Sequence, residues 1–307
     1  MDRRDFLKKG LILGGAVGAS FFINCKKTII AQDKGNQDLL TDLVAIKGGE
    51  PEEMFDKAIK ELGGMSRFVK KRQKVVIKPN IGWARPVENA ANTHPKLIKR
   101  IIEHCKEVGA KKVYVFDHSC DHWENAYKNS GIEKAAKEAG AIVVPSGDEK
   151  YYQSVQIPKG KKLNETKVHE LILDSDVFIN VPVLKNHSST KLTIAMKNLM
   201  GAVWDRGYYH GNGLDQCIAD FCTYRKPDLN IVDAYNVMMK FGPSAGSPEV
   251  VENMKYQLIS KDIVAIDAAA TKIFGMEPNE VWHIKIASEM GIGNIDLDKL
   301  RIKRLTI

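Results

Sequence analysis

Two kinds of hydrophobic pattern alternate along this 307-residue chain. Short continuous apolar runs, such as residues 75–77 (VVI) and 177–179 (VFI), predict strands that are buried on both faces. Segments in which apolar residues recur every three or four positions, such as residues 95–108, predict amphipathic helices. Because strand and helix signals alternate from residue 43 onward, the pattern predicts an α/β fold with a mostly parallel sheet and helices on both faces.

Residues 174–203, DSDVFINVPVLKNHSSTKLTIAMKNLMGAV, combine a buried strand, a polar loop and an apolar repeat. Pro182 lacks a backbone N–H and is expected to end the strand. Ser188 is expected to cap a helix, whose apolar face would carry Leu192, Ala195, Met196, Leu199, Ala202 and Val203. The polar side of that helix would carry Thr190, Lys191, Ile194, Lys197 and Asn198. Open α/β sheets bind ligands at the carboxyl ends of their strands, so we expect the functional site here.

Further expectations concern the connecting segments. A small hairpin is expected within residues 145–165, and residues 201–213 are expected to form a loop that contains His210. Residues 229–232 are expected to form a strand that ends at Asp233. Asp262 is expected to cap a helix that carries Asp267.

Lysine and asparagine occur together three times near this predicted edge of the sheet. The pairs are Lys78 and Asn80, Lys185 and Asn186, and Lys197 and Asn198. Lysine supplies a compact positive charge, and asparagine supplies an uncharged donor and acceptor. Near a helix N-terminus, such groups would bind a phosphate or carboxylate. Alternatively, some of these lysines face solvent or pair with Asp117 or Asp233.

Imidazole and thiol groups are concentrated around the run HSCDH, which follows another predicted strand. The candidate metal ligands are His118, Cys120, His122 and His94, with His187 nearby. Such ligands suit a divalent transition metal. The spacings of strong zinc signatures, CxxC and HExxH, are missing. The alternative is that His118 and His122 only form hydrogen bonds in a surface loop.

Candidate catalytic residues are His187 and His210, which would transfer protons, and Asp117, a carboxylate at a strand end that suits a base or Mg²⁺. Asp267 could instead simply accept hydrogen bonds from the backbone or a lysine. P-loop and GxGxxG motifs are missing, which disfavours standard nucleotide binding.

The first residues indicate export. Arg3 and Arg4, followed by Phe6-Leu7-Lys8, resemble the twin-arginine signal, and a short Gly- and Ala-rich apolar run follows. We therefore predict a signal segment at residues 1–31, a linker at 32–42 and a single domain at 43–307. The protein would use the twin-arginine export machinery, reside in the periplasm or another extracytoplasmic space, and keep no stable membrane span after processing. An uncleaved anchor and lipidation at Cys25 are alternatives.

Charge and cysteine content narrow the function classes. The formal net charge is +8, but residues 1–31 hold six basic and two acidic residues, so the remainder carries +4. That value gives no reason to expect a nucleic-acid partner. Cys105 lies on the apolar face of its helix and is expected to be buried. Cys217 and Cys222 are not expected to form a disulfide, because they lie nearly on opposite faces of a helix.

Several motifs together resemble one known family. VFINVPVLKNH is followed by MKNLMGAV, and VVIKPNIG, THP, FDHS, LNIVDA and DIVAIDAAA occur in the order that the family shows. Over about residues 43–290, the chain resembles the family catalogued as domain of unknown function 362. Some relatives carry ferredoxin-like cysteine runs, but this chain has no CxxCxxC motif, so the resemblance does not imply iron–sulfur chemistry here.

These observations predict an exported α/β enzyme that acts on a small anionic substrate, with or without a divalent transition metal. Lys78, Lys185 and Lys197 would bind or polarise the anion. The alternative is a non-catalytic periplasmic protein that binds a metal, an oxyanion or a cofactor, because no nucleophile is recognisable.

Overall fold

A computed structural model describes residues 41–245 and 247–307. The predicted signal segment, Cys25 and most of the predicted linker lie outside these residues. Among the residues described, no helix is both long enough and apolar enough to cross a membrane.

The main sheet is mixed but mostly parallel. The strands of the described chain are β1 (Leu43–Lys47), β2 (Lys74–Pro79), β3 (Lys112–Val115), β4 (Ile142–Val143), β5 (Tyr152–Gln156), β6 (Glu165–His169), β7 (Val177–Val181), β8 (Val183–His187), β9 (Lys191–Thr193), β10 (Leu229–Met238), β11 (Val251–Ser260) and β12 (Ile302–Thr306). All except β5 and β6 join one sheet of ten strands in the order β12-β1-β11-β10-β7-β2-β3-β4, while β8 pairs with β10 and β9. Only the pairs made by β11 with β1 and β10, and by β9 with β8, are antiparallel there.

Helices cover both faces of this sheet, as predicted. They are α1 (Pro51–Glu61), α2 (Pro95–Glu107), α3 (Trp123–Asn129), α4 (Ile132–Glu138), α5 (Glu170–Asp174), α6 (Ala195–Asn198), α7 (Arg206–Gly211), α8 (Leu214–Tyr224), α9 (Ile263–Phe274) and α10 (Trp282–Glu289). Val75 and Ile77 of β2 share a core with α1 to α4, whereas Val76 shares the opposite core with α5 to α10. This alternation follows from the two-residue side-chain period of a strand.

Several predicted elements are confirmed. Pro95 opens α2, and Gly109 follows its end with a φ of 86°, a conformation that favours glycine. Asp262 caps α9 by accepting the backbone N–H groups of Val264 and Ala265. β5 and β6 form the expected hairpin, although it extends to residue 169. Cys105 is buried, and Cys217 and Cys222 are free.

The predicted long helix after Ser188 is wrong. The chain leaves β7 at Pro182, forms β8, turns back as β9, and becomes helical only at α6 and at a 3₁₀ turn, Leu199–Ala202. As a result, Thr190, Ile194 and Asn198 are buried rather than on a polar face. Apolar residues in this short segment fit a helical repeat and a pair of strands equally well. Backbone pairing of β8 with β10 and β9 decides between the two.

Two other expectations need correction. β10 continues five residues past Asp233, because β8 and β11 supply backbone partners on its two sides. His210 lies in the short helix α7 rather than in a loop, and the side chain of Asp205 caps that helix by accepting the N–H of Tyr208.

Candidate functional site

A cleft of about 400 Å³ lies beyond the carboxyl ends of β2, β3 and β8. The predicted site residues that line it are Asn80, Asp117, His118, Cys120, Lys185, His187, Lys197, Asn198 and His210. The structure therefore brings together the two predicted proton carriers, Asp117 and two of the three predicted lysines. The lining residues span 130 positions of the sequence, from Asn80 to His210.

Lys78 does not line the cleft. Its side chain is fully buried, and its Nζ lies 2.7 Å from Oδ1 of Asp117. Burial lowers the pKa of Lys78, and Asp117 opposes that shift. The second carboxylate oxygen of Asp117 accepts the N–H of Ile81 at 2.6 Å. Lys78 thus forms the buried ion pair that the sequence left as an alternative, and it contributes little charge to a ligand in the cleft.

Lys185 lies in the wall of the cleft and is 1% exposed. Its Nζ donates to the carbonyl oxygen of Ala91 and, at 3.4 Å, to Oδ1 of Asn80. Burial lowers its pKa to about 7; Cys120 opposes that shift, and the positive charge of Lys197 adds to it. No carboxylate forms a salt bridge with Lys185 in the part of the chain that the structure describes. When protonated, Lys185 is therefore a buried cation that only neutral oxygen atoms contact.

Lys197 differs from the other two lysines, because the described chain offers its Nζ no hydrogen bond and no ion pair. Its pKa is lowered to about 8 by burial, with Cys120 opposing and Arg206 adding to the shift. The helix that carries it, α6, is anchored by Asp267, whose carboxylate accepts the N–H groups of Ala195 (2.7 Å) and Met196 (3.0 Å). Asp267 is thus a backbone acceptor, one of the two roles that the sequence left open.

Arg206 is a cleft residue that the sequence analysis does not single out. Its guanidinium donates to the carbonyl oxygens of His118 and Ser119, both at 2.8 Å, and to Sγ of Cys120 at 3.3 Å. These bonds fix a permanent positive charge at the cleft wall. The sequence offers little to identify it, because Arg206 is a single arginine among aromatic residues in a segment expected to form a loop.

Thr193 is a second cleft residue that the sequence does not reveal. It is 3% exposed, lies opposite Lys185 in the β8–β9 pair, and its Oγ1 has no hydrogen-bond partner within the described structure. A buried hydroxyl without a partner is costly, so a ligand or water in the cleft would satisfy it. The mistaken helix prediction hid this position, because Thr193 is placed beside Lys185 by the pairing of β9 with β8.

The two predicted proton carriers occupy different environments. His187 is 8% exposed, and its Nδ1 accepts the N–H of Ser189 at 3.1 Å. Burial, followed by the charges of Lys197 and Lys185, lowers its pKa to about 3, so this ring is neutral at physiological pH. His210 is exposed on α7, and its pKa is lowered by partial burial and by Lys197 and Arg206.

Buried asparagines connect the cleft to the centre of the sheet. Asn80 donates to Asn198 at 3.0 Å, Asn198 donates to Asn180 at 2.9 Å, and Asn180 donates to Asn230 at 3.0 Å. Because these amides satisfy one another, they hold α6 against β2, β7 and β10 without introducing charge. Asn80 and Asn198 line the cleft and also support it; that they bind an anion stays a prediction.

Three predicted site residues lie away from the cleft. Asn186 uses its side chain to bind the backbone of Lys191 and Gly242. His94 is the N-cap of α2, where its Nδ1 accepts the N–H of Lys96, and His122 is the exposed N-cap residue of α3.

These positions bear on the predicted metal site. His118 bonds through Nδ1 to the carbonyl oxygen of Val203 at 2.7 Å and stacks on Trp204. In the part of the chain that the structure describes, no group of three or more His, Cys, Asp and Glu side chains is arranged to hold a metal ion. The four predicted ligands His118, Cys120, His122 and His94 are thus not assembled into one site.

Comparison with known proteins identifies one family. The model of the family described as domain of unknown function (DUF362) matches residues 75–272. The thylakoid-associated protein sll1697 of Synechocystis sp. is 23% identical to this chain over 242 residues, which are 76% of this chain and 73% of that protein.

Two solved structures share part of the backbone arrangement. The lactate racemase apoprotein from Thermoanaerobacterium thermosaccharolyticum is 12% identical, covers 80% of this chain and has a TM-score of 0.46. A protein from Thermotoga maritima is 13% identical, covers 78% of this chain and also has a TM-score of 0.46. The chain spans 56% and 60% of the lengths of these two proteins.

Gly201 provides a test of the buried ion pair. A Cβ at this position would lie 1.9 Å from Oδ1 of Asp117 and 2.7 Å from Nζ of Lys78. We predict that Gly201→Ala lowers the free energy of unfolding by about 1–3 kcal/mol, because the pair must shift in a packed environment. Gly211→Ala is the control, since its Cβ would meet no atom within 4 Å. Equal stability of the two variants in urea denaturation would contradict the described packing.

The two cleft lysines also predict coupled proton uptake. At pH 8, Lys185 is mostly neutral and Lys197 about half protonated. An anion favours the protonated forms, so binding of sulfate should take up protons and weaken as pH rises above about 7. The charged and titratable groups around these lysines are Lys78, Asp117, Cys120, Arg206, His187, His210 and His283. Calorimetry in buffers of different ionisation enthalpy measures the uptake, and sulfate affinity that is constant from pH 6 to 9 would refute it.

Proposed function

This chain belongs to the DUF362 family, and we propose that it is an enzyme that binds a small anionic substrate in the cleft. The observation that carries this proposal is the charge of the cleft wall. Lys185, Lys197 and Arg206 line the cleft, whereas the one acidic residue in its lining, Asp117, is paired with Lys78 behind it. The cleft therefore has a net positive charge without a bound partner.

The available donors suggest how an anion would be held. The guanidinium group of Arg206 already donates hydrogen bonds to two carbonyl oxygens, so it acts mainly as a fixed charge. Within the part of the chain that the structure describes, Lys197 Nζ makes no hydrogen bond or ion pair and the Thr193 hydroxyl has no partner, so these are the donors left for a ligand. The volume of about 400 Å³ suits a small molecule rather than a polymer.

The histidines supply the proposed proton transfer. His210 is exposed at the cleft and reaches solvent, so it is the better candidate for exchanging protons with bulk water. His187 stays neutral because its pKa is about 3, and it is therefore assigned the role of a hydrogen-bonding group that orients the substrate.

Binding of oxalate, acetate and sulfate tests the proposal. We predict that at least one of them raises the melting temperature of the protein, and that Lys197→Gln weakens its binding about tenfold or more, because a charged hydrogen bond of about 1.5–3 kcal/mol is lost. Lys191→Gln is the matched control, since Lys191 is exposed and does not line the cleft. Failure of all three anions to bind, or equal effects of the two substitutions, would reject the anion site.

We also infer export by the twin-arginine route, which rests on Arg3, Arg4 and the residues Phe6-Leu7-Lys8. Replacing both arginines by lysine is expected to leave the precursor in the cytoplasm. Fractionation of cells that express the full chain measures this, with the unaltered chain as control. Normal appearance of the double variant outside the cytoplasm would refute the inference.

A further inference from the structure

The amine groups of the three lysines near the cleft differ in the hydrogen bonds and ion pairs that they form. Nζ of Lys78 is paired with Asp117 and also donates to the carbonyl oxygen of Pro79. Nζ of Lys185 donates to Ala91 and Asn80. Nζ of Lys197 has none of these bonds within the described chain, yet its side chain lines the cleft. Lys197 is therefore the lysine whose nitrogen is free to react with a molecule in the cleft.

We propose that Lys197 forms an imine with a small anion that also carries a reactive carbonyl group, such as a 2-oxo carboxylate. This inference rests on the proposed function and narrows its substrate class. Two further cations, Lys185 and Arg206, line the same cleft, so their charge would attract a carboxylate into the space that Lys197 also lines.

The backbone that carries Lys197 is fixed on both sides of it. Asp267 binds the two N–H groups that precede Lys197, those of Ala195 and Met196. The next residue, Asn198, is held by Asn180 and Asn80. A reactive amine on an anchored turn has less conformational freedom to lose when it meets the substrate, which favours attack.

The environment of Lys197 also makes the amine available near neutral pH. Burial, opposed by Cys120 and reinforced by the positive charge of Arg206, lowers its pKa to about 8. A lysine nucleophile must be neutral, and desolvation together with a second cation is a known way to achieve this. An exposed lysine such as Lys191 lacks this environment and serves as an internal comparison.

Imine formation is a condensation that releases water, and it involves no change in oxidation state. The nitrogen lone pair of Lys197 adds to the carbonyl carbon, and a proton moves from nitrogen to the former carbonyl oxygen to give a carbinolamine. The second nitrogen proton and the hydroxyl group then leave as water, which forms the C=N bond. His210 is positioned at the cleft to carry these protons, and the unpartnered Thr193 hydroxyl can bond to the oxygen atom.

Reductive trapping tests this inference. The full-length protein is incubated with glyoxylate and sodium cyanoborohydride, which reduces an imine to a stable secondary amine, and modified lysines are located by peptide mass spectrometry. We expect modification of Lys197 to be at least about tenfold faster than that of Lys191, because its lower pKa leaves more neutral amine at pH 7.5. Oxalate, which binds as an anion but has no reactive carbonyl, should slow the labelling of Lys197 and not that of Lys191.

Two variants separate this inference from the proposed anion site. Lys197→Arg keeps a positive charge but cannot form the imine, so it should lose the adduct and still bind oxalate. If Lys197→Arg does not fold, Lys197→Gln can replace it, because this substitution also removes the primary amine. Circular dichroism checks that the variant is folded. Oxalate binding with no preferential modification of Lys197, or with preferential modification of Lys185, overturns the imine and leaves the anion site intact. If oxalate, acetate, sulfate and glyoxylate all fail to bind, both proposals fall.

Discussion

The ion pair between Lys78 and Asp117 joins the ends of two neighbouring strands beneath the cleft. Lys78 lies near the end of β2, and Asp117 follows β3. The pair is almost completely buried, and removing either partner would leave a buried charge without compensation, which costs about 3–5 kcal/mol in other proteins. Gly201 packs against both charged groups, because any larger residue would collide with them. The loop after α6 is thereby fixed above the strand ends.

Neutral polar groups complete the support of the cleft. The chain of asparagines from Asn80 to Asn230 joins α6 to the centre of the sheet, and Asp267 of α9 holds the first turn of α6. Each of these groups finds its partner within the protein. Lys197 and Thr193 find none among the residues that the structure describes. This contrast between a satisfied framework and unsatisfied cleft groups supports the proposed binding site.

The charge of the cleft follows from how the carboxylates are distributed. Asp117 neutralises Lys78, and Asp267 is occupied by backbone N–H groups, so neither balances Lys185 or Lys197. Burial is the largest cause of the lowered pKa of each lysine, and repulsion adds to it: the charge of Lys197 acts on Lys185, and that of Arg206 acts on Lys197. The same repulsion favours an anion in the cleft and, without one, favours a neutral amine. The anion site and the proposed reactive lysine therefore have a common physical origin.

The sequence alone determined the α/β class, the mostly parallel sheet, the caps at Pro95 and Asp262, and the edge of the sheet where Lys185, His187 and Asp117 meet. The elements follow from the spacing of apolar residues, which short segments reveal. The shared edge follows from the rule that ligands bind at the carboxyl ends of parallel strands. Only the tertiary structure decided that residues 183–193 form two strands, since strand pairing depends on distant β10. It also decided which lysine is neutralised by Asp117 and which is left free, because Lys78 and Asp117 belong to different strand ends that only the folded sheet brings together. Arg206 and Thr193 join the cleft for the same reason: their roles depend on orientation, which no local pattern encodes.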